Sequence, residues 1–213
     1  MNLPTRPAPL RRRRTAAAAP DGDAIRSSLT PETWVDAATE VLVDQGIDHV
    51  RVDVLAGQLG VTRGSFSWHF RDREDLLRRV LQAWSERSTE QLTRRLSTAT
   101  ATTDPQALLR DVVSLPFRGR AAARAARIEL AIRAWARRDE MARLAVDAAD
   151  AARIGYHAQV FAGLGFAPDE ARMRAFLLYS YEVAESLLNR QGNAAQKVAR
   201  SAFVLRLVQL PLG

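Results

Sequence analysis

The residues between Arg51 and Phe70 combine side chains that can bind phosphates and base edges. In the segment RVDVLAGQLGVTRGSFSWHF, Phe66 and Phe70 are one helical turn apart, so both must face the protein interior. The opposite face then carries small, hydroxylic, cationic and aromatic groups. These are Gly64 and Trp68 at its centre, Ser65 and Ser67 on its flanks, and Arg63 and His69 near its border. Such a face predicts noncovalent recognition of DNA in one of its grooves.

Two short helices joined by a turn would present that face. The first has an apolar side formed by Val52, Leu55, Ala56 and Leu59. Gly60 breaks this helix, and Thr62 can cap the next one. The pattern predicts a helix-turn-helix whose second helix enters the DNA groove.

Each group on the outward face has an expected role. Arg63 and Arg73 begin successive helices, where free backbone N–H groups already favour phosphate. An exposed Trp68 indicates a partner surface, and the alternative is packing against the first helix. His69 either donates to a phosphate or caps the helix end.

The small residues of the same face indicate DNA contacts less strongly than the arginines and Trp68 do. Gly64 allows the helix backbone to approach DNA closely, because it has no side chain to hold the helix away. Ser65 and Ser67 can contact base edges, but short hydroxyl groups specify a base weakly.

Composition disfavours several classes of function. The 213 residues include no cysteine, which excludes disulfides, thiol nucleophiles and cysteine metal sites. The three histidines, His49, His69 and His157, share no helical turn, so no metal site is expected. Neither GxSxG nor GxxxxGK[ST] occurs. We therefore expect no enzyme, no catalytic residue and no cofactor.

The formal charge of +7 suggests an anionic partner, but it is unevenly distributed. Residues 1–28 contain six basic and two acidic residues, whereas residues 29–97 contain nine basic and eleven acidic ones. Several acids of the second segment belong to the first predicted helix. Local charge around the helix-turn-helix, and not net charge, must therefore attract DNA.

Residues 1–26 are predicted to be a disordered basic arm centred on Arg11 to Arg14. The arm is either a solvated tail or a segment that follows phosphates or enters a minor groove. It lacks the apolar run of a secretory signal, and no later segment approaches transmembrane length. A cytoplasmic protein is expected.

The remaining pattern predicts an all-α fold. Thr30 and Pro31 start the first helix, and Gly46 ends it. Asp72 caps a fourth helix of about twenty-five residues. Further helices are predicted at 105–114, 119–138, 139–163, 168–190 and 193–210. The expected domains are the arm (1–26), a DNA-binding domain (27–87) and a helical effector-binding and dimerisation domain (88–213).

The last two predicted helices are apolar around most of their circumference, so each must be covered on two sides. The alternatives are a central core helix and an isologous dimer in which both helices form a four-helix bundle with their mates. We favour the dimer, whose two-fold axis would match a palindromic operator.

Aromatic residues in the second domain are candidates for an apolar effector pocket. They are Phe117, Trp135, Tyr156, Phe161 and Tyr179. The alternative is that they are ordinary core residues. Arg153 and His157 could serve an anionic ligand.

The chain resembles the TetR (TetR/AcrR) family of bacterial transcriptional regulators. The resemblance covers Thr30 to Gly46 and VDVLAGQLGVTRGSFSWHFRDREDLL from Val52 to Leu77. Its specific parts are the Gly60-Val61-Thr62-Arg63-Gly64-Ser65 turn and the Trp68-His69-Phe70 ending. A looser similarity extends to ELAIRAWARRD (Glu129 to Asp139) and to Gly163-Leu164-Gly165.

This resemblance implies a homodimeric repressor with nine helices per subunit, released from its operator by a small-molecule effector. It implies recognition-helix positions for Thr62, Arg63, Gly64, Ser65, Ser67, Trp68 and His69, and DNA-backbone contacts for Arg51 and Arg73. Arg51 stands where the family usually has Ser or Thr, and Ser67 where it often has Tyr. The operator therefore cannot be inferred from any relative.

Two other functions compete with that of a regulator. An enzyme would show turnover that depends on the C-terminal half. A non-specific architectural DNA binder would lose most binding when residues 1–26 are deleted.

Overall fold

The computed structural model describes residues 29–99, 104–114, 119–188 and 190–211, so the predicted arm and Phe117 lie outside the described residues. Nine α-helices occur in these ranges. They are α1 (Pro31–Gln45), α2 (Val52–Gln58), α3 (Arg63–Phe66), α4 (Arg73–Ala99), α5 (Pro105–Ser114), α6 (Gly119–Ala136), α7 (Glu140–Gly163), α8 (Pro168–Leu187) and α9 (Ala194–Leu207). A 3₁₀ turn, Ile47–His49, precedes α2, and the described residues contain no strand. The all-α prediction is confirmed.

The predicted start and stop signals account for most helix ends. Gly46 follows α1 with φ of +87°, a conformation that favours glycine. The Asp72 carboxylate accepts the Asp75 N–H at 2.8 Å and so caps α4. Four helices end earlier than predicted: α3 at Phe66, α6 at Ala136, α8 at Leu187 and α9 at Leu207. Asp139 caps α7 and Asn193 caps α9, so the chain must leave the preceding helix before each cap.

Two hydrophobic clusters organise the packing. The first joins α1 to α4 with α6 and the start of α7, and Trp34, Leu55 and Leu76 are fully buried in it. The second joins α5, the end of α7, α8 and Val208, and it contains Phe161 and Leu178. Because α4 and α6 both enter the first cluster, they connect the helix-turn-helix to the rest of the chain.

Charged side chains reinforce this connection along α1. Acids recur every four residues from Glu32 to Asp48 and face arginines of α4, α6 and the segment after α6. The pairs are Glu32–Arg79, Asp36–Arg87, Glu40–Arg124, Asp44–Arg127 and Asp48–Arg138. The acids of α1 and of the turn after it are therefore paired with arginines of other helices, so the negative charge of this segment is concentrated on one side of α1.

The helices α8 and α9 leave large apolar side chains in solvent. One side of α8 is buried at Leu178 and Tyr179, whereas Phe176 on its other side is 62% exposed. On α9, Phe203 is 57% exposed. The other exposed residues of this surface are Met173, Leu177, Leu187, Leu188, Val198, Leu207 and Leu210.

Within the described ranges, none of the helices has both the length and the apolar character required to cross a membrane.

Candidate DNA-binding site and buried polar cluster

The short helix α3 packs through a group of three aromatic rings. Phe66 and Phe70 are 4% and 6% exposed, and their ring centroids are 5.3 Å apart. Trp34 of α1 packs edge-on against Phe66 at 5.4 Å. The predicted inward pair is confirmed, and it fixes which residues of α3 face outward.

The outward face carries most of the predicted groups. Trp68 is 87% exposed, which contradicts the alternative that it packs against the first helix. Arg63 is also exposed, and it makes no hydrogen bond or ion pair within the described part of the chain. Thr62, Gly64 and Ser67 are exposed as well, and His69 is half-buried.

Ser65 departs from the predicted arrangement. It is only 9% exposed, so it does not lie on an accessible flank of the outward face. Its helix α3 packs against α2, an arrangement that the spacing of residues within α3 does not reveal. Thr62 occupies the N-cap position, but its side chain makes no capping hydrogen bond.

Gly64 has no structural requirement for glycine in the isolated chain. A Cβ added to it would meet only Thr62 Oγ1, at an ordinary contact distance of 3.7 Å. Its backbone also has no positive φ. The absence of a side chain therefore benefits only a partner that approaches this face.

The two arginines expected at the DNA backbone differ in their surroundings. Arg51 is exposed and pairs with Asp53 at 3.2 Å. Arg73 donates through Nε to the Val50 carbonyl at 2.5 Å and through Nη2 to the Ile47 carbonyl at 2.7 Å. It thus joins the start of α4 to the turn before α2, a contact that its position in the sequence does not reveal.

A partly buried polar cluster lies between α4, α6, α7 and α8. Arg133 donates to Glu129 at 2.9 Å, to Asp150 at 2.5 Å and to the Tyr179 hydroxyl at 2.8 Å. Arg153 donates to Glu129 at 2.8 Å and to the same hydroxyl at 3.0 Å. The Tyr179 hydroxyl donates to Asp150 at 2.5 Å. The two guanidinium charges are thereby balanced by two carboxylates.

This environment shifts the pKa values of its members. Burial lowers the pKa of Arg133, but its hydrogen bond to Asp150 and the charge of Glu129 outweigh burial and raise it above the usual value. Burial also lowers the pKa of Arg153. The charge of Glu129 and its hydrogen bond outweigh burial, so the pKa of Arg153 is raised as well. Burial raises the pKa of Tyr179, and the nearby Arg153 only partly offsets it. All three groups therefore remain protonated at neutral pH.

Among the described residues, the structure brings only some of the predicted pocket aromatics together, since the rings of Tyr156 and Tyr179 both lie beside His157, with centroids 5.8 and 6.1 Å from it. Trp135 belongs to the first hydrophobic cluster, and Tyr156 and Phe161 belong to the second. Only Tyr179 joins the polar cluster. Arg153 is already bonded there, and His157 Nε2 lies 3.6 Å from Glu182 Oε1.

Sequence reasoning missed the cluster as a unit. Glu129 and Arg133 are four residues apart, the spacing of an ion pair within one helix, and this was the available signal. Their partners Asp150 and Tyr179 lie on other helices, and no local spacing connects them.

Known proteins match the N-terminal helices of the chain. The family described as "Bacterial regulatory proteins, tetR family" matches residues 35–80. The transcriptional regulator SrpR of Pseudomonas putida is 40% identical over 58 residues, which are 27% of each chain. The uncharacterised regulator TtgW, also of Pseudomonas putida, is 40% identical over 58 residues, 27% of this chain and 43% of TtgW. The chain thus spans less than half of these relatives.

Solved structures share the fold over most of the chain. A transcriptional regulator from Rhodococcus sp. Rha1 is 21% identical with a TM-score of 0.66, and the match covers 84% of this chain and 94% of that one. The regulator FadR of Bacillus subtilis, solved with stearoyl-CoA, is 19% identical with a TM-score of 0.61, over 86% of this chain and 100% of FadR. At these identities, the likeness establishes the fold.

Proposed function

We propose that this chain, whose residues 35–80 match the tetR family of bacterial regulatory proteins, is a sequence-specific DNA-binding transcriptional regulator. One observation carries the proposal. Inside the family-matching segment, two buried phenylalanines turn an exposed arginine and an exposed tryptophan outward together. A large aromatic side chain in water is unfavourable for an isolated domain, so a partner surface accounts for it.

The proposed DNA contacts follow from exposure. Arg63 at the start of α3 approaches a phosphate, and Trp68 makes apolar contact with the DNA. Gly64 permits close approach of the α3 backbone. The remaining members of the surface are Arg51, Thr62, Ser67 and His69. Ser65 is left out because it is buried.

We propose that the regulator acts as a homodimer joined through α8 and α9. The large apolar side chains that both helices expose support this, because burial in an interface would remove them from water. The two-fold symmetry would place two α3 helices on a palindromic operator.

We propose that the protein is a repressor and that a small-molecule effector releases it from its operator. The effector would bind among α4 to α8, beside the polar cluster and the aromatics Trp135, Tyr156, Phe161 and Tyr179. Proteins of this fold were solved with stearoyl-CoA (FadR of Bacillus subtilis) and with choline (a regulator of Saccharomonospora viridis). Because these ligands differ in chemistry, the fold does not select the effector.

The other assignments follow from this function. The protein acts in the cytoplasm, where its operator is found, and it needs no catalytic residue or cofactor. We propose residues 27–87 as the DNA-binding domain and 88–213 as the effector-binding and dimerisation domain.

Selection from random duplexes with the purified full chain tests the proposal. We expect one palindromic motif whose affinity falls steeply with salt concentration. Enrichment of no motif would contradict it. A chain lacking residues 1–26 is the control, since a helix-turn-helix protein keeps its motif and an architectural binder loses most of its binding.

A further inference from the structure

Two of the three guanidinium nitrogens of Arg73 donate to the protein backbone, although the residue is exposed. Its Nε and Nη2 donate to carbonyls of residues 23 and 26 positions earlier in the chain, Val50 and Ile47. These distances of 2.5 and 2.7 Å lie at or below the short end of the range for N–H···O bonds. A surface side chain that serves only a phosphate would instead be free to move.

The two carbonyls lie at the ends of a defined structural feature. Ile47 begins the 3₁₀ turn, and Val50 ends it. Val50 is fully buried, so its carbonyl has little access to water and needs a donor from within the protein. Arg73 supplies that donor, and it fixes the turn against the start of α4.

The residue that follows this turn is Arg51, which is the N-cap of α2. Its guanidinium is exposed, and its side chain makes no capping hydrogen bond. Because Arg51 does not cap its helix as Ser or Thr would, the start of α2 depends on other contacts for its orientation. The hydrogen bonds from Arg73 to Ile47 and to Val50, the residue before Arg51, are such contacts.

We propose that Arg73 is a positioning residue, which holds the start of α2 so that Arg51 meets the DNA backbone, and that it does not itself contribute a phosphate contact. This proposal rests on the DNA-binding function proposed above. The proposal gives the two arginines different roles. Arg51 contacts the DNA backbone, and Arg73 orients Arg51.

A double-mutant cycle between the two arginines tests the assignment. Affinity for the selected operator duplex is measured against salt concentration for the wild type, Arg51→Ala, Arg73→Ala and the double variant. A phosphate contact contributes about one to the slope of log K against log salt. We expect Arg51→Ala to lower the slope by about one in the wild-type background and by almost nothing in the Arg73→Ala background.

The expected loss of affinity for Arg73→Ala is about tenfold, and the double variant should lose little more. Additive losses would overturn the proposal, because they would mean that the residues act independently. Equal effects of Arg73→Lys and Arg73→Ala are also expected, since an ammonium cannot bond both carbonyls in the planar arrangement. Wild-type affinity in Arg73→Lys would indicate a simple charge contact and would overturn it.

Arg63→Ala is the matched control, because Arg63 is exposed and unpaired in the described part of the chain. It should lower the slope by about one in both backgrounds. Circular dichroism at the assay temperature selects conditions in which every variant is folded. If the wild type prefers no duplex, the DNA-binding function itself fails, and that result is distinct from additivity in the cycle.

Discussion

Trp68 differs from the other three tryptophans of the chain in its contact with water. It is 87% exposed, whereas Trp34, Trp84 and Trp135 are at most 8% exposed. Its indole therefore contributes little to folding and is free to contribute to binding. Tryptophan is also among the residues that most often dominate binding interfaces.

Replacing Trp68 by Ala should weaken operator binding about tenfold, because the large apolar contact is lost. The free energy of unfolding should change by less than about 0.5 kcal/mol, as expected for an exposed side chain. Fluorescence anisotropy with labelled duplex measures the first quantity, and urea denaturation measures the second.

Iodide quenching provides an independent measurement on the same residue. In the wild type, quenching should come mainly from Trp68 and should disappear when operator is added. Trp68→Phe should abolish it without DNA, and the control Trp84→Phe should retain it. Quenching that persists in the wild-type complex would show that Trp68 stays in water.

The individual residues of the site show what a sequence pattern can predict. The four-residue spacing of Phe66 and Phe70 was sufficient to orient α3, because helix geometry alone relates them. Ser65 was expected on an accessible flank but is buried, since the same geometry contains no information about tertiary packing around α3. The bonds of Arg73 were missed for a similar reason, because Ile47 and Val50 are brought to it by tertiary packing.

At the level of helices, Arg133 connects three elements through one guanidinium. It bonds Glu129 on its own helix α6, Asp150 on α7 and Tyr179 on α8. Its partners are mostly buried, with 19% and 26% of the two carboxylate side chains exposed. Two carboxylates in such surroundings need the positive charge.

Arg133→Ala should therefore lower the free energy of unfolding by about 3 kcal/mol, because it leaves buried carboxylates with too little positive charge. The exposed Arg137 is the control. Arg137→Ala should change the free energy of unfolding by less than about 0.5 kcal/mol. Chemical denaturation of both variants measures the difference.

A second substitution identifies the cause of the loss. Adding Asp150→Asn to Arg133→Ala removes one buried charge and should recover part of the stability. If the double variant is no more stable than Arg133→Ala, uncompensated charge is not the source of the effect.

The ends of the helices were largely predictable from the sequence. The pairing of charged side chains between helices was not. The caps Asp72 and Asn193 and the break at Gly46 act within a few residues, so the sequence contains them directly. The row of α1 acids was visible as a four-residue repeat, but its arginine partners come from α4, α6 and the segment after α6. Only the folded arrangement identifies such partners.

At the scale of the whole molecule, the apolar surface of α8 and α9 is the feature that a single chain leaves uncovered. The sequence indicated that both helices need cover on two sides, and the described residues cover one side of α8. Phe176 and Phe203 remain more than half exposed. Burying such side chains in an isologous interface contributes about 25 cal/mol per Å² of apolar area, before the cost of association.

Phe176→Glu should convert the protein from dimer to monomer at micromolar concentration, because an isologous interface would bury the introduced carboxylate twice. Leu144→Glu is the matched control, since Leu144 is 58% exposed on α7, outside the proposed interface. Sedimentation velocity should give a dimer for the wild type and for Leu144→Glu. The monomeric variant should also lose most of its affinity for the palindrome, because two linked α3 helices bind more tightly than one. A dimeric Phe176→Glu, or a wild type that is already monomeric, would contradict the proposed interface.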